Sequence, residues 1–211
     1  MVMIQKIVLL GDSDMSRWPS SLLPIIPSGP SVVINYGKSG ACLVDLRQQI
    51  DLWEVQNDDR CNCLFICCAG ENDVGSGRTM EQISEAFRTL LDALFPTINP
   101  DERHESRMIF LGPKFEPWLT DDNASRKKYA KLNNELERVI REHHASDRIT
   151  YVNCLTLFCK NETASEPGAV YGGRGIPDVQ YFDSDCLHLN DAGYSVWKRI
   201  VESEIRCCAL S

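Results

Sequence analysis

Long apolar runs are missing from this chain. No stretch approaches the roughly 20 residues needed to span a bilayer. The first apolar segment, Ile7 to Leu10, is short and leads straight into Gly11 with no small-residue cleavage site. No secretory signal is therefore expected, and the chain reads as cytoplasmic. Dense basic clusters are missing too. With 22 Lys and Arg against 30 Asp and Glu, the net charge is -8, which argues against a surface that coats nucleic acid. Paired C-x-x-C spacings are absent despite ten cysteines, which removes the usual zinc cluster and leaves no metal site expected. Without a secretion signal those cysteines read as free thiols. Cys61, Cys63, Cys67 and Cys68 fall in or beside an apolar run, where a free Cys behaves as a small hydrophobe. There is no internal repeat, linker or low-complexity tract, so residues 1–211 are read as a single domain.

What is present alternates. Short apolar runs at Ile4–Leu10, Val32–Tyr36, Leu64–Ala69, Met108–Leu111 and Ile149–Val152 are strand candidates. They are nearly continuous in apolar residues, which suits a parallel sheet covered on both faces. Helical stretches lie between them. Thr79 and Gln82 form a capping-box pattern ahead of an apolar stripe from Ile83 to Leu94. Tyr129, Leu132, Leu136, Val139 and Ile140 mark a second helix, and a weaker one runs from about Val44 to Val55. Asn190 can cap a last helix that buries Trp197, Ile200, Val201 and Ile205. Right-handed crossovers then predict an α/β fold: a doubly wound, three-layer α/β/α domain with its ligand site at the C-terminal strand ends. Leu155 to Asp185, rich in Gly and Pro, breaks the pattern and reads as a functional rim or a mobile segment.

Four short blocks stand where chemistry is expected. Gly11-Asp12-Ser13 follows the first strand, where a Ser hydroxyl at the strand end suits a nucleophile whose attack generates an oxyanion. The same residues also suit a plain helix cap. Asn35 to Gly40 follows the second strand, and the Gly40 N–H can donate to an oxyanion or simply close a turn. The Gly37-Lys38-Ser39 fragment is no P-loop, because Val32 stands where the first Gly is required. Gly70-Glu71-Asn72-Asp73 follows the third strand, with Asn72 as an N–H donor or a turn residue. Asp185-Cys186-Leu187-His188 precedes the last helix. An imidazole takes a Ser proton near neutral pH, and a carboxylate three residues earlier can fix its tautomer; equally, Asp185 can cap the loop and His188 be a satisfied surface histidine. The chain has four histidines, and His104, His143 and His144 suit solvated roles.

In order and placement these blocks resemble the SGNH (GDSL-like) hydrolase family, over Gly11 to Gly193. The resemblance implies a flavodoxin-like, five-stranded parallel sheet and a catalytic triad of Ser13, His188 and Asp185. It also implies an oxyanion hole of the Ser13 and Gly40 backbone N–H groups with the Asn72 side chain. One departure is Asp14, where many members carry a hydrophobic residue; a carboxylate there bears on the rate and on substrate charge. The expected reaction is hydrolysis of a carboxylic ester through an acyl-enzyme on Ser13, with no cofactor. No large apolar lid is evident, so small or O-acetyl esters are favoured. Tyr171, Arg174, Tyr181 and Phe182 are candidates for substrate contact, and Gly112 to Trp118 is a second candidate loop; both segments suit a packed rim equally well.

Two other classes compete. Asp12-Ser13-Asp14 also looks like the D-x-D opening of haloacid-dehalogenase-type phosphatases, with Asp12 as nucleophile, Asp14 as acid/base, Lys114 as the lysine and Mg²⁺ bridging to phosphate. That reading leaves Asn72 and the Asp185/His188 pair without work. A binding domain that keeps the fold without catalysis is the other. Separately, Cys208-Ala209-Leu210-Ser211 fits the C-a-a-X lipidation pattern, with Cys207 as a second acylation site, although both cysteines also suit a helix end packed on the core.

Overall fold

A computed structural model describes residues 4, 6–26, 32–56, 62–97, 106–160 and 175–210, the last four by backbone alone. Five strands, β1 (Lys6–Gly11), β2 (Val32–Asn35), β3 (Cys63–Cys68), β4 (Arg107–Leu111) and β5 (Ile149–Val152), form one sheet in the order β2-β1-β3-β4-β5. Every pairing is parallel. This is the flavodoxin-like order, and each predicted strand is present within two residues at either end.

Side chains on a strand point alternately to the two faces, and the core divides accordingly. Val8, Leu10, Phe65, Cys67, Met108 and Phe110 pack beneath α2 (Leu43–Gln56), α4 (Met80–Leu94) and α5 (Asn123–Glu142). Ile7, Leu9, Leu64, Ile66, Cys68, Ile109 and Leu111 pack against α1 (Ser13–Ser16) and α6 (Asp191–Leu210). Two apolar cores on one sheet require strands that are apolar throughout, and β3 is buried at every position. Burying each large apolar side chain is worth about 1.5–3 kcal/mol.

The helix starts follow from capping chemistry. Thr79 Oγ1 accepts from Gln82 N while Gln82 Oε1 accepts from Thr79 N, which completes the predicted capping box of α4. Asp122 caps α5 by accepting from Ser125 N, and the predicted stripe of that helix is buried. Asn190 Oδ1 accepts from Ala192 N and Gly193 N at the start of α6. Trp197, Val201 and Ile205 of α6 are buried as predicted, whereas Ile200 is only half-buried.

His143 departs from its expected solvated role. Its Nδ1 accepts from Ala145 N, its Nε2 meets Asp92 at 3.2 Å, and burial pushes its pKa down. His144 Nε2 lies 2.8 Å from the Phe95 carbonyl, so the two rings tie the end of α5 to the end of α4. The Gly/Pro-rich rim is laced at its described ends: Lys160 N donates to Ile176 O and Asp178 N to Phe158 O, both at 2.8 Å. Residues 161–174, with the predicted contacts Tyr171 and Arg174, lie outside the described residues, as do His104 and the side chains of Cys207 and Cys208.

Gly37 marks where the β2 loop meets α1. A Cβ there would sit 2.4 Å from Ser16 N and 2.7 Å from the Met15 carbonyl carbon, both backbone atoms that cannot swing aside. Gly37→Ala is therefore expected to cost about 2 kcal/mol or more and to lower the midpoint of thermal unfolding by about 4 °C or more. A calorimetric scan checks this; an unchanged midpoint would mean that α1 slides freely past the loop.

Candidate active site

The sheet delivers the ends of β1, β2 and β3 side by side, and the first three predicted blocks begin there. Gly11 is locked by Gln49, which accepts from its N–H at 2.8 Å and donates to its carbonyl at 2.9 Å. Asp12 Oδ1 then accepts from Asp14 N, so Asp12 caps the single turn of α1. Ser13 becomes the first helical residue, half-buried, with capping left to its neighbour. Asn35 Nδ2 donates to Met15 O at 2.7 Å and joins the end of β2 to α1.

The second and third blocks are bonded to each other. Asn72 Nδ2 donates to Ala41 O at 3.0 Å, using one of its two N–H groups and placing the amide beside Gly40. Gly40 adopts φ +77, a left-handed turn that Gly takes without strain, and the space above its Cα is open. Asp73, fully buried, accepts from Leu43 N at 2.9 Å and meets Arg78 Nε at 3.4 Å. It holds the start of α2 against α3 (Glu71–Gly75). That bracing role of Asp73 is missed by reading the block as chemistry alone.

The fourth block folds back on itself through a turn at Cys186, φ 57. Asp185 Oδ1 accepts from the N–H groups of His188 and Leu187, both at 3.0 Å, and Asp185 Oδ2 meets His188 Nδ1 at 2.6 Å. These bonds, the His188 backbone N–H foremost, hold the Asp185 carboxyl well below the usual carboxylate range. His188 itself is buried, and with Nδ1 engaged its free nitrogen is Nε2. Three contacts fasten this block to α1. Tyr194 OH donates to Asp14 O at 2.8 Å, Leu189 N reaches Asp14 Oδ1 at 3.5 Å, and Arg17 Nη1 lies 3.4 Å from Asp185 Oδ2. The segment carrying His188 therefore lies against the helix that opens with Ser13.

Beneath α1 sits a charged cluster that the sequence reading did not anticipate. Lys114 Nζ meets Asp14 Oδ2 at 2.6 Å, Glu116 Oε1 at 3.0 Å and Glu71 Oε2 at 3.1 Å. Lys114 is only 1% exposed. Burial alone would lower its pKa, but Asp14, Glu71 and Glu116 raise it well above the ordinary lysine value. Burial, reinforced by Asp14 and Glu71, pushes the Asp12 carboxyl up, and burial also raises Glu116. The available signal is a Lys and a Glu just after an apolar strand, in a loop that reads as substrate contact or packed rim. Lys114, Phe115 and Glu116 are instead buried, and of that trio's neighbours Trp118 is half exposed.

The cluster also bears on the phosphatase alternative. Asp12 and Asp14 are 2% and 1% exposed, and Asp14 is ion-paired with Lys114. Of the predicted substrate contacts, Phe182 is core: it is buried, packs on Phe158 and bridges to Leu189. Tyr181 sets its ring edge-on to Phe158. A depression of about 570 Å³ beside Arg17, Asp183, Asp191 and Tyr194 flanks the fourth block, and its lining includes none of Ser13, Gly40, Asn72 or His188.

Comparison with known proteins shows the same fold. The LAE5 α/β hydrolase from the metagenome of Lake Arreo, Spain, superimposes with a TM-score of 0.65 at 18% identity, covering 98% of this chain and 97% of its own. The lipase/acylhydrolase from Enterococcus faecalis gives 0.64 at 16% identity over 96% and 95% of the two chains. The psychrotrophic esterase EstA from Pseudoalteromonas sp., in a structure inhibited by monoethylphosphonate, gives 0.64 at 13% identity over 98% and 100%. No curated protein sequence matches the chain. The model of the GDSL-like Lipase/Acylhydrolase family matches residues 10–196, and the chain belongs to that family.

Proposed function

We propose that the protein is a serine hydrolase of small carboxylic esters, O-acetyl esters among them, working through an acyl-enzyme on Ser13. The observation that carries this reading is the Asp185–His188 pair, bonded at 2.6 Å and fastened to α1 through Asp14 and Arg17. In the reaction Ser13 Oγ attacks the ester carbonyl while His188 Nε2 takes its proton. The negative oxygen meets the Ser13 and Gly40 N–H groups and the second N–H of Asn72. His188 then gives its proton to the leaving alcohol, and a water repeats the sequence to release the acid. Asp185 keeps the imidazole in the tautomer that leaves Nε2 able to accept.

A fluorophosphonate probe with peptide mapping tests the nucleophile directly. Label on the peptide carrying Ser13, lost in Ser13→Ala, is expected. A folded protein that takes no label would return the chain to a non-catalytic binding role, and EDTA-sensitive phosphatase activity would point to the carboxylates instead. Asn72→Ala is expected to remain folded and lose about 10²–10³-fold in kcat, the usual effect of deleting one oxyanion donor.

The Asp185 carboxyl gives a pH test. Its folded pKa is depressed, so the pair's contribution is complete above the ordinary Asp value of about 3.9 and is lost only as the pH falls through the lower folded value. A ¹³C carboxyl titration should place its midpoint clearly below 3.9; a midpoint at or above that value would mean that the pair does not form in solution.

A further inference from the structure

Lys114 has three N–H donors, and each meets a carboxylate from a different loop or turn. Asp14 follows β1, Glu71 follows β3, and Glu116 lies in Lys114's own loop after β4. Glu71 is held twice, because its Oε1 also accepts from the Lys114 backbone N–H at 2.8 Å. The sequence positions matter most. Asp14 is the residue after Ser13, and Glu71 is the residue before Asn72. We infer that Lys114 is a positioning residue, whose ammonium fixes the distance between the Ser13 hydroxyl and the Asn72 amide by clamping their immediate neighbours.

Burial and charge support a geometric role. The ammonium is enclosed, at 1% exposure, with the Asp14 and Glu116 side chains at 2% and 0%. A buried ion pair is poor at adding stability compared with apolar packing of similar volume, but it fixes direction and distance. Lys114 is also outnumbered by Asp12, Asp14, Glu71 and Glu116 around it. Ser13 and Asn72 have to act on one carbonyl, at the carbon and the oxygen respectively. A misplacement on the order of 1 Å between such groups costs about 10²-fold in rate.

This inference rests on the assignment of Ser13 and Asn72 proposed above, and the experiment separates the two. The full chain and its Glu71→Gln and Lys114→Met variants are titrated to completion with a fluorophosphonate, and turnover of p-nitrophenyl acetate is expressed per titrated site. In Glu71→Gln the titre should stay near one per chain, with kcat per site at least about tenfold lower and KM changed by less than about threefold. Lys114→Met should fall further in kcat, and combining it with Asn72→Ala should cost little beyond Asn72→Ala alone, because both act on one unit. A merely structural role would lower the titre and leave the turnover of each remaining site intact. Wild-type turnover per site in either folded variant, or fully multiplicative losses in the double variant, would overturn the clamp while leaving Ser13 in place. Should Lys114→Met fail to fold, Glu71→Gln decides, being isosteric and at the more exposed edge of the cluster. Failure of the unaltered protein to label at Ser13 would instead remove the underlying assignment.

Discussion

Because all five strands run the same way, every loop that follows a strand opens on the same edge of the sheet, and this constraint governs the rest of the molecule. β1 and β3 are neighbours at the centre, with β2 outside β1, so three loops far apart in sequence become adjacent without any special long-range interaction. The fourth block comes from before α6, which covers the face shared with α1. Joining residues 14 and 189 closes a long loop, and the entropic cost of closure grows only slowly with length. Trp197, Val201 and Ile205 of α6 bury apolar surface that offsets it.

Carboxylates near this edge are pushed in opposite directions by their surroundings. Asp185 is partly exposed and collects hydrogen bonds, so its charged form is favoured. Asp12 and Glu116 are enclosed, and desolvation favours their neutral forms despite the nearby ammonium. The same functional group thus serves as a fixed negative partner for an imidazole in one place and as a strut in another. The arrangement puts the buried charge below α1 and the His188 imidazole beside it.

The fold was legible because it is written in periodicities that depend on local chemistry. Continuous apolar runs gave the buried strands, and the Thr79/Gln82 and Asn190 caps gave two helix starts. The four blocks were legible because Gly, Asn, Asp and His are distinctive after strands. What stayed hidden depends on pairing across the sheet. Nothing in the local sequence of Lys114 says that Asp14 and Glu71 will meet it, and charged residues in an apolar-flanked loop read equally well as contacts for a substrate. Asp73 was hidden for the same reason, since its partner is a backbone N–H thirty residues away. His143 looked solvated because its helix is polar, yet the end of α4 encloses it.

The central strand carries one more property. Cys63, Cys67 and Cys68 of β3 are 0%, 0% and 2% exposed, and burial drives the thiols of Cys67 and Cys68 far from ionising. Only the thiolate is reactive, so these sulfurs are silent while the sheet is closed. Opening β3 requires parting it from both β1 and β4, close to a global event. The molecule therefore contains its own clock for unfolding: alkylation of these three sulfurs counts excursions of the whole sheet and ignores the fraying of its rim.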